Sequence, residues 1–230
     1  MKLIKSFVVL YSLILVSCSD TGNKNNSTIV KVEDSTEVET TGKSKTIVFF
    51  GNSLTAGYGL DQSESFPALI QEKLDSLNMN YTVVNAGLSG ETTAGGNTRI
   101  DWILQQPLDI FILELGANDG LRGIPINETR QNLQSIIDKV RNKYPGVGIL
   151  LAGMQVPPNM GQDYSMEFRN LFSELARKNN IDLIPFLLEG VGGESRLNQP
   201  DGIHPTAEGH KVLAENVWSV LEKRLVKTND

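Results

Sequence analysis

The chain has 230 residues, of which 40% are hydrophobic and 21% are charged, and its formal net charge is -6. These proportions exclude a disordered, a collagen-like and a multi-span membrane protein, and the excess of acidic residues argues against nucleic acid as a partner. One cysteine and two histidines are too few for a Cys/His zinc site or a disulfide framework, so no metal or other cofactor is predicted.

Residues 1–17 have the features of a bacterial secretory signal. Lys2 and Lys5 precede an apolar run over residues 7–16, which is shorter than the roughly 20 residues of a transmembrane helix. The run ends in Leu-Val-Ser-Cys, which resembles the bacterial lipobox, and Cys18 is the only cysteine in the chain. We therefore expect cleavage before Cys18 and lipidation of its thiol. The lipid would anchor the protein to a membrane of the bacterial cell envelope, facing the periplasm or the cell surface.

Residues 18–44 are predicted to form a flexible tether. After the cysteine they are mostly Ser, Thr, Asn, Gly and charged residues, with only four scattered Val or Ile. Such a composition buries too little apolar area to offset the entropy lost on ordering. The folded domain is therefore expected over residues 45–230.

Beyond the tether, short β-branched runs alternate with longer segments of helical periodicity, which is typical of a parallel α/β sheet. The predicted strands are Thr46 to Phe50, Tyr81 to Asn85, Asp109 to Leu115, Val147 to Met154 and Asp182 to Ile184. The predicted helices are Phe66 to Leu77, Thr98 to Gln105, Glu128 to Tyr144, Met166 to Asn179 and Ala207 to Leu225. In such a sheet ligands bind beyond the carboxyl ends of the strands, so the functional residues are expected there.

Four glycine-containing blocks contain the candidate functional residues. The first predicted strand runs into Gly-Asn-Ser-Leu with Ser53, and the second into Gly-Leu-Ser-Gly-Glu-Thr with Gly90. The third runs into Gly-Ala-Asn-Asp-Gly with Asn118, and Asp-Gly-Ile-His-Pro with His204 follows near the end. Each block alone is typical of a tight turn. Together and in this order, over roughly residues 46–224, they resemble the SGNH branch of the GDSL hydrolases.

This resemblance implies a flavodoxin-like, three-layer α/β/α fold with a five-stranded, mostly parallel sheet. The third and fourth blocks are most similar to the thioesterase I, protease I and lysophospholipase type and to the arylesterases. One position departs from the family, whose first block reads Gly-Asp-Ser-Leu, because this chain has Asn52. Since the family's acid lies in the last block, we expect the change to alter local hydrogen bonding without deleting the triad.

The residues themselves indicate a serine nucleophile with a histidine base. A serine hydroxyl is weakly nucleophilic and needs a neighbouring base, and only His204 and His210 are available. Asp201 lies three residues before His204 in a glycine-containing turn, so its carboxylate can fix the ring tautomer. His210 falls inside a predicted helix and is interpreted as a solvated or half-buried residue. Asp119 is an alternative acid for the triad.

The resemblance also implies which groups stabilise the oxyanion. They are the backbone N–H groups of Ser53 and Gly90 and the side-chain amide of Asn118, and the alternative for Asn118 is a turn-forming role. Apolar side chains after the third and fourth strands are candidates for an acyl groove and would otherwise be core residues. These candidates are Leu121, Ile124, Met154, Pro157 and Met160.

The leading hypothesis is a lipid-anchored serine hydrolase that cleaves carboxylic esters and thioesters, such as aryl esters, acyl thioesters or lysophospholipids. A carbohydrate O-deacetylase on the same scaffold is the alternative enzyme. The alternative from another class is a non-catalytic lipoprotein that binds an acyl or glycan ligand, which the presence of Asn52 would permit.

Overall fold

A computed structural model describes residues 44–225 of the chain. The predicted signal segment over residues 1–17, the lipidation site at Cys18 and nearly all of the predicted tether lie outside the described residues. Of the tether, only Ser44 is included, and the first strand begins at the next residue.

The centre of the domain is a five-stranded sheet in which every pair of neighbouring strands is parallel. Its strands are β1 (Lys45–Gly51), β2 (Tyr81–Gly87), β3 (Ile110–Glu114), β4 (Gly148–Ala152) and β5 (Asp182–Ile184). The order across the sheet is β2-β1-β3-β4-β5. Strand β2 is therefore added on one side of β1, and β3 to β5 are added on the other. A crevice forms at such a reversal, beyond the carboxyl ends of β1 and β3.

The described domain also contains seven α-helices and four short 3-10 turns. The helices are α1 (Ser53–Ala56), α2 (Phe66–Ser76), α3 (Thr93–Ile103), α4 (Ala117–Leu121), α5 (Ile126–Lys143), α6 (Gln162–Asn179) and α7 (Ala207–Leu221). The 3-10 turns are Gln62–Glu64, Pro158–Met160, Ser195–Leu197 and Glu222–Arg224. Between residues 44 and 225, none of the helices is both long enough and apolar enough to cross a bilayer.

The two faces of the sheet are covered by different helices. Successive strand residues point to opposite faces, and Phe49 contacts Phe66 of α2 while Phe50 lies under Arg99 of α3. Helix α7 shares the face of α2, because His210 stacks on Phe66. The predicted three-layer α/β/α fold with a five-stranded sheet is therefore confirmed.

Two helices begin at least four residues earlier than the sequence pattern predicts. Helix α3 begins at Thr93 instead of Thr98, because the Thr92 side chain accepts a hydrogen bond from the Gly95 N–H and caps the helix. Glycine is a poor helix former, but a Cβ at Gly96 would lie 2.3 Å from a Leu115 methyl group, so this glycine allows close packing. Helix α6 begins at Gln162 instead of Met166.

Candidate active site

Ser53 lies at the carboxyl end of β1, where the chain turns sharply into α1. Asn52 caps this helix, since its side-chain oxygen accepts a hydrogen bond from the Leu54 N–H at 3.0 Å. Gly57 caps the end of the helix after Ala56, and its φ of 72° is in the left-handed region that favours glycine. Ser53 is only 8% exposed, but its hydroxyl faces the cavity described below.

The structure brings Ser53, His204 and Asp201 into one hydrogen-bonded chain. The Ser53 Oγ lies 2.9 Å from the His204 Nε2, and the His204 Nδ1 lies 2.7 Å from an Asp201 carboxylate oxygen. The hydrogen bond to the His204 ring, with two further bonds from the backbone N–H groups of His204 and Ile203, lowers the pKa of Asp201 to about 2. An ionised Asp201 requires the Nδ1 to carry a proton, which leaves the Nε2 free to accept one from Ser53.

The loop that carries His204 is held by two residues that the sequence analysis did not identify. The Gln199 side chain donates to the backbone oxygens of Tyr58 and Pro205 at 2.7 and 2.9 Å, and its backbone N–H donates to the His204 oxygen. The Tyr58 ring lies over the imidazole of His204, with 4.5 Å between the ring centroids. These contacts join the loop after α1 to the loop before α7. A tyrosine between Gly57 and Gly59 was the available signal.

Asp119 and His210, the alternative acid and the second histidine, take no part in the hydrogen-bonded chain with Ser53 and have other partners. Asp119 is buried and accepts bonds from the backbone N–H and the hydroxyl of Thr93, so it does not form the ion pair with His204 that the alternative required. The interpretation of His210 as solvated or half-buried is wrong, because it is 1% exposed. Its Nδ1 accepts the Phe66 N–H at the start of α2, and burial lowers its pKa to about 4.

Of the three expected oxyanion donors, Ser53 and Asn118 line the same cavity and Gly90 does not. As the first residue of α1, Ser53 has an N–H that the helix's internal bonds leave unused. The Asn118 side chain lines the same cavity and donates one amide hydrogen to the Glu91 carbonyl at 3.0 Å, which leaves the second for a ligand. Gly90 has a φ of 81° and lies in the exposed turn before Glu91, outside the lining of the cavity. The oxyanion roles of all three residues stay predictions.

A cavity of about 430 Å³ opens beside Ser53 and His204. Its apolar lining includes Leu121, Val156, Pro157, Phe186, Leu188 and Ile203. His204 is the only ionisable residue of this lining, and no cluster of acidic, His or Cys residues suited to a metal occurs in the described domain. The cavity can therefore take an uncharged, apolar group.

Two of the five groove candidates, Leu121 and Pro157, line this cavity. The expectation for Met154 is corrected, because this side chain is 2% exposed and belongs to the hydrophobic core. Ile124 and Met160 also lie outside the lining. Phe186 and Leu188 also line the cavity and were not among the sequence-based candidates, although they follow β5 at the same edge of the sheet as the other blocks.

Asn52 pairs with a buried carboxylate, that of Glu114 at the end of β3. The Asn52 amide donates to Glu114 at 2.8 Å, so the departure from the family does alter local hydrogen bonding. Burial raises the pKa of Glu114 to about 7, although hydrogen bonds from Asn52 and Thr55 oppose that rise. Nothing in the sequence analysis identified Glu114, and the available signal was an acidic residue ending an otherwise apolar strand.

Comparison with known proteins identifies the family of the chain. Residues 49–212 match the GDSL-like Lipase/Acylhydrolase family. The chain is 41% identical over 182 residues to esterase TesA of Pseudomonas aeruginosa, and the match covers 79% of this chain and 90% of that protein. It is 36% identical over 173 residues to thioesterase 1/protease 1/lysophospholipase L1 of Escherichia coli K12, covering 74% of this chain and 80% of that protein.

A solved structure supports the same relationship. The psychrotrophic esterase EstA from Pseudoalteromonas sp., inhibited by monoethylphosphonate, matches with a TM-score of 0.74 and 32% sequence identity. The match covers 79% of this chain and 98% of the EstA chain. The chain therefore belongs to the GDSL-like Lipase/Acylhydrolase family and is a carboxylic ester hydrolase.

Proposed function

We propose that the protein cleaves carboxylic esters and thioesters of apolar acyl groups, with Ser53 as nucleophile, His204 as general base and Asp201 as the group that orients it. The hydrogen-bonded chain from Ser53 through His204 to Asp201 is the observation that carries this proposal. Aryl esters, acyl thioesters and lysophospholipids are the substrate classes. The names of the relatives support esters, thioesters and lysophospholipids as substrates, and the apolar lining of the cavity supports an uncharged acyl group.

In the acylation step the Ser53 Oγ attacks the ester carbonyl carbon as His204 Nε2 takes the hydroxyl proton. The carbonyl oxygen becomes an oxyanion, which the Ser53 and Gly90 N–H groups and the Asn118 amide stabilise. The tetrahedral intermediate collapses, and the imidazolium of His204 returns the proton to the departing alcohol or thiol. Water then attacks the acyl-enzyme, with His204 again as the base, and releases the acid and free Ser53.

Acyl hydrolysis is favoured over carbohydrate deacetylation, because apolar side chains outnumber amide side chains in the lining of the cavity. The amide side chains of the lining are Asn52, Asn118, Gln155 and Asn198. The departure at Asn52 gives little support to a non-catalytic binding protein, since its amide pairs with Glu114 and leaves the bonds between Ser53, His204 and Asp201 intact. We further propose a lipid anchor at Cys18, which would place the domain at a membrane of the bacterial cell envelope, where lysophospholipids occur.

The test is turnover on a panel of p-nitrophenyl esters of increasing acyl length, with Ser53→Ala and His204→Ala as variants. Each variant should lose several orders of magnitude in kcat and retain about 10³- to 10⁴-fold acceleration over water from the remaining groups. A fluorophosphonate probe should label the wild type and leave Ser53→Ala unlabelled. Near-normal turnover in Ser53→Ala would refute the assignment of the nucleophile, and an inert, unlabelled wild type would favour a binding protein.

A further inference from the structure

Glu114 accepts four hydrogen bonds from the turn that carries Ser53. Two come from Asn52, whose backbone N–H and side-chain amide donate at 3.0 and 2.8 Å. The other two come from Thr55, whose backbone N–H and hydroxyl donate at 3.2 and 2.8 Å. The carboxylate is 1% exposed, so this buried group binds both residues that flank the Ser53–Leu54 pair.

The contact between the turn and the carboxylate is also tight sterically. A Cβ built on Gly51 would lie 2.4 Å from a Glu114 carboxylate oxygen and 2.1 Å from the Thr55 hydroxyl, closer than van der Waals contact allows. The register of the sheet produces this contact, because Gly51 of β1 is paired with Glu114 of β3. A shift of the turn would therefore break several hydrogen bonds together.

An amide at position 52 suits this arrangement better than a carboxylate. An aspartate there would place a second acceptor about as close to Glu114 as the Asn52 amide, which is 2.8 Å away. Two carboxylates at that distance in a buried site cannot both be ionised and must share a proton. Asn52 donates instead, so an ionised Glu114 can accept all four hydrogen bonds.

We propose that Glu114 is a positioning residue for the nucleophile and that Asn52 is its matched amide partner. The carboxylate holds residues 52–55 so that the Ser53 Oγ stays within hydrogen-bonding distance of the His204 Nε2. This inference rests on the proposed function of Ser53 and adds a role for a residue that does not contact the substrate.

The first variant is Glu114→Gln, which keeps the size of the side chain but offers the turn a mixture of a donor and an acceptor. Assays at about pH 8.5 keep the wild-type carboxylate ionised, because its pKa is about 7. We expect kcat on p-nitrophenyl butyrate to fall about 10- to 100-fold, while KM changes by less than about threefold, since Glu114 lies outside the lining of the cavity proposed to hold the acyl group. Unchanged kcat, or a rise in KM at constant kcat, would overturn the proposal.

A rescue variant distinguishes positioning from general structural damage. In Asn52→Asp/Glu114→Gln the new amide at 114 can donate to the new carboxylate at 52, while its oxygen accepts from the three other donors. We expect this double variant to recover at least threefold of the kcat that Glu114→Gln loses. A double variant no faster than Glu114→Gln would contradict the matched pairing.

Two more variants complete the experiment. Val140→Ala in α5 removes buried methyl groups far from the turn and should lower the melting temperature with kcat unchanged. If Glu114→Gln does not fold, Thr55→Val removes one of the four donors and should lower kcat about three- to tenfold, and unchanged kcat there would overturn the proposal. Wild-type turnover tests the proposed function separately, so an active wild type with equally active variants overturns only the role of Glu114.

Discussion

The guanidinium of Arg99 donates to both carboxylate oxygens of Glu91, with N to O distances of 2.7 and 2.6 Å. The pair is largely buried, and Arg99 also donates to the Ala86 carbonyl at 2.9 Å and lies over the Phe50 ring. The backbone oxygen of Glu91 accepts one amide hydrogen of Asn118. Arg99 therefore fixes the turn that contains Gly90 and, through Glu91, the orientation of Asn118.

We predict that Arg99→Lys lowers kcat about tenfold with little change in KM, because lysine cannot form the two parallel bonds to Glu91. The effect should largely disappear in an Asn118→Ala background, since Arg99 acts partly through that amide. Steady-state kinetics of the two single variants and the double variant measure this coupling. Arg130→Lys, at the more exposed pair with Glu174, is the control and should keep full activity. Additive effects of Arg99→Lys and Asn118→Ala on kcat would show that the ion pair does not act through Asn118.

Asn118→Ala separates an oxyanion role from a turn-forming role. If the amide stabilises the developing oxyanion, the substitution should cost about 2.7 to 4 kcal/mol of transition-state stabilisation, a fall of about 10²- to 10³-fold in kcat. KM should move little, because the donor is strongest towards the transition state. Thermal unfolding should show a shift of only a few degrees. A much earlier melt, or a raised KM with kcat preserved, would mean that Asn118 holds the loop or the substrate.

Asp201→Asn should lower kcat by about 10³- to 10⁴-fold over the whole pH range, because an asparagine no longer enforces the tautomer that leaves the His204 Nε2 free. The pKa of Asp201 is lowered to about 2, mainly by the hydrogen bond to His204, so this carboxylate stays ionised at every practical assay pH. The pH profile of the wild type should therefore show no contribution from Asp201. Activity of Asp201→Asn within tenfold of the wild type would rule out this carboxylate as the orienting acid.

His210 and Glu114 should give the stability of the protein opposite dependences on pH. The pKa of buried His210 is lowered from 6.5 to about 4, so between these values the unfolded chain binds a proton that the folded chain does not. The stabilisation from His210 is therefore complete above pH 6.5 and is lost as the pH falls towards 4. The pKa of buried Glu114 is raised from 4.5 to about 7, so its contribution to stability falls as the pH rises through that range.

Each contribution amounts to about 3 kcal/mol across its range, and the two largely cancel between about pH 4.5 and 6.5. In Glu114→Gln the free energy of unfolding should therefore rise over this interval, relative to the wild type. In His210→Gln, where the new side-chain oxygen can still accept the Phe66 N–H, it should fall. Urea denaturation at a series of pH values measures both slopes, and parallel curves for all three proteins would contradict the assignment.

Much of the fold could be predicted because its signals are local. The strands are short apolar runs, and the glycine-containing blocks follow three of them directly. The pairing of Asp201 with His204 was also accessible, since a separation of three residues within one turn limits where the carboxylate can reach. The burial of Met154 could not be predicted. Side chains alternate between the two faces of a strand, so an error of one residue at the strand end moves a side chain from the cavity to the core.

The supporting residues could not be predicted, because their roles depend on which strands are neighbours. Glu114 binds the turn after β1 only because β3 lies beside β1, a fact of sheet order that does not show between residues 62 positions apart in the sequence. The contacts of Arg99 depend on sheet order in the same way. Arg99 binds Glu91 in the loop after β2, and its guanidinium lies over the ring of Phe50 in β1. The roles of Ser53, Gly90 and Asn118 stay predictions until the variants are measured.

The hydrogen bond between Ser53 and His204 joins residues that are 151 positions apart in the chain. The reactive hydroxyl is synthesised early, but its base follows β5, the last strand of the sheet, and depends on Gln199 to hold its loop. We therefore predict that the serine acquires its base late in folding, because this contact needs the loop beyond β5 to dock on the turn beyond β1. In a refolding experiment, fluorophosphonate labelling should lag behind the recovery of secondary structure. The rate at which labelling returns would then measure how fast the last loop docks.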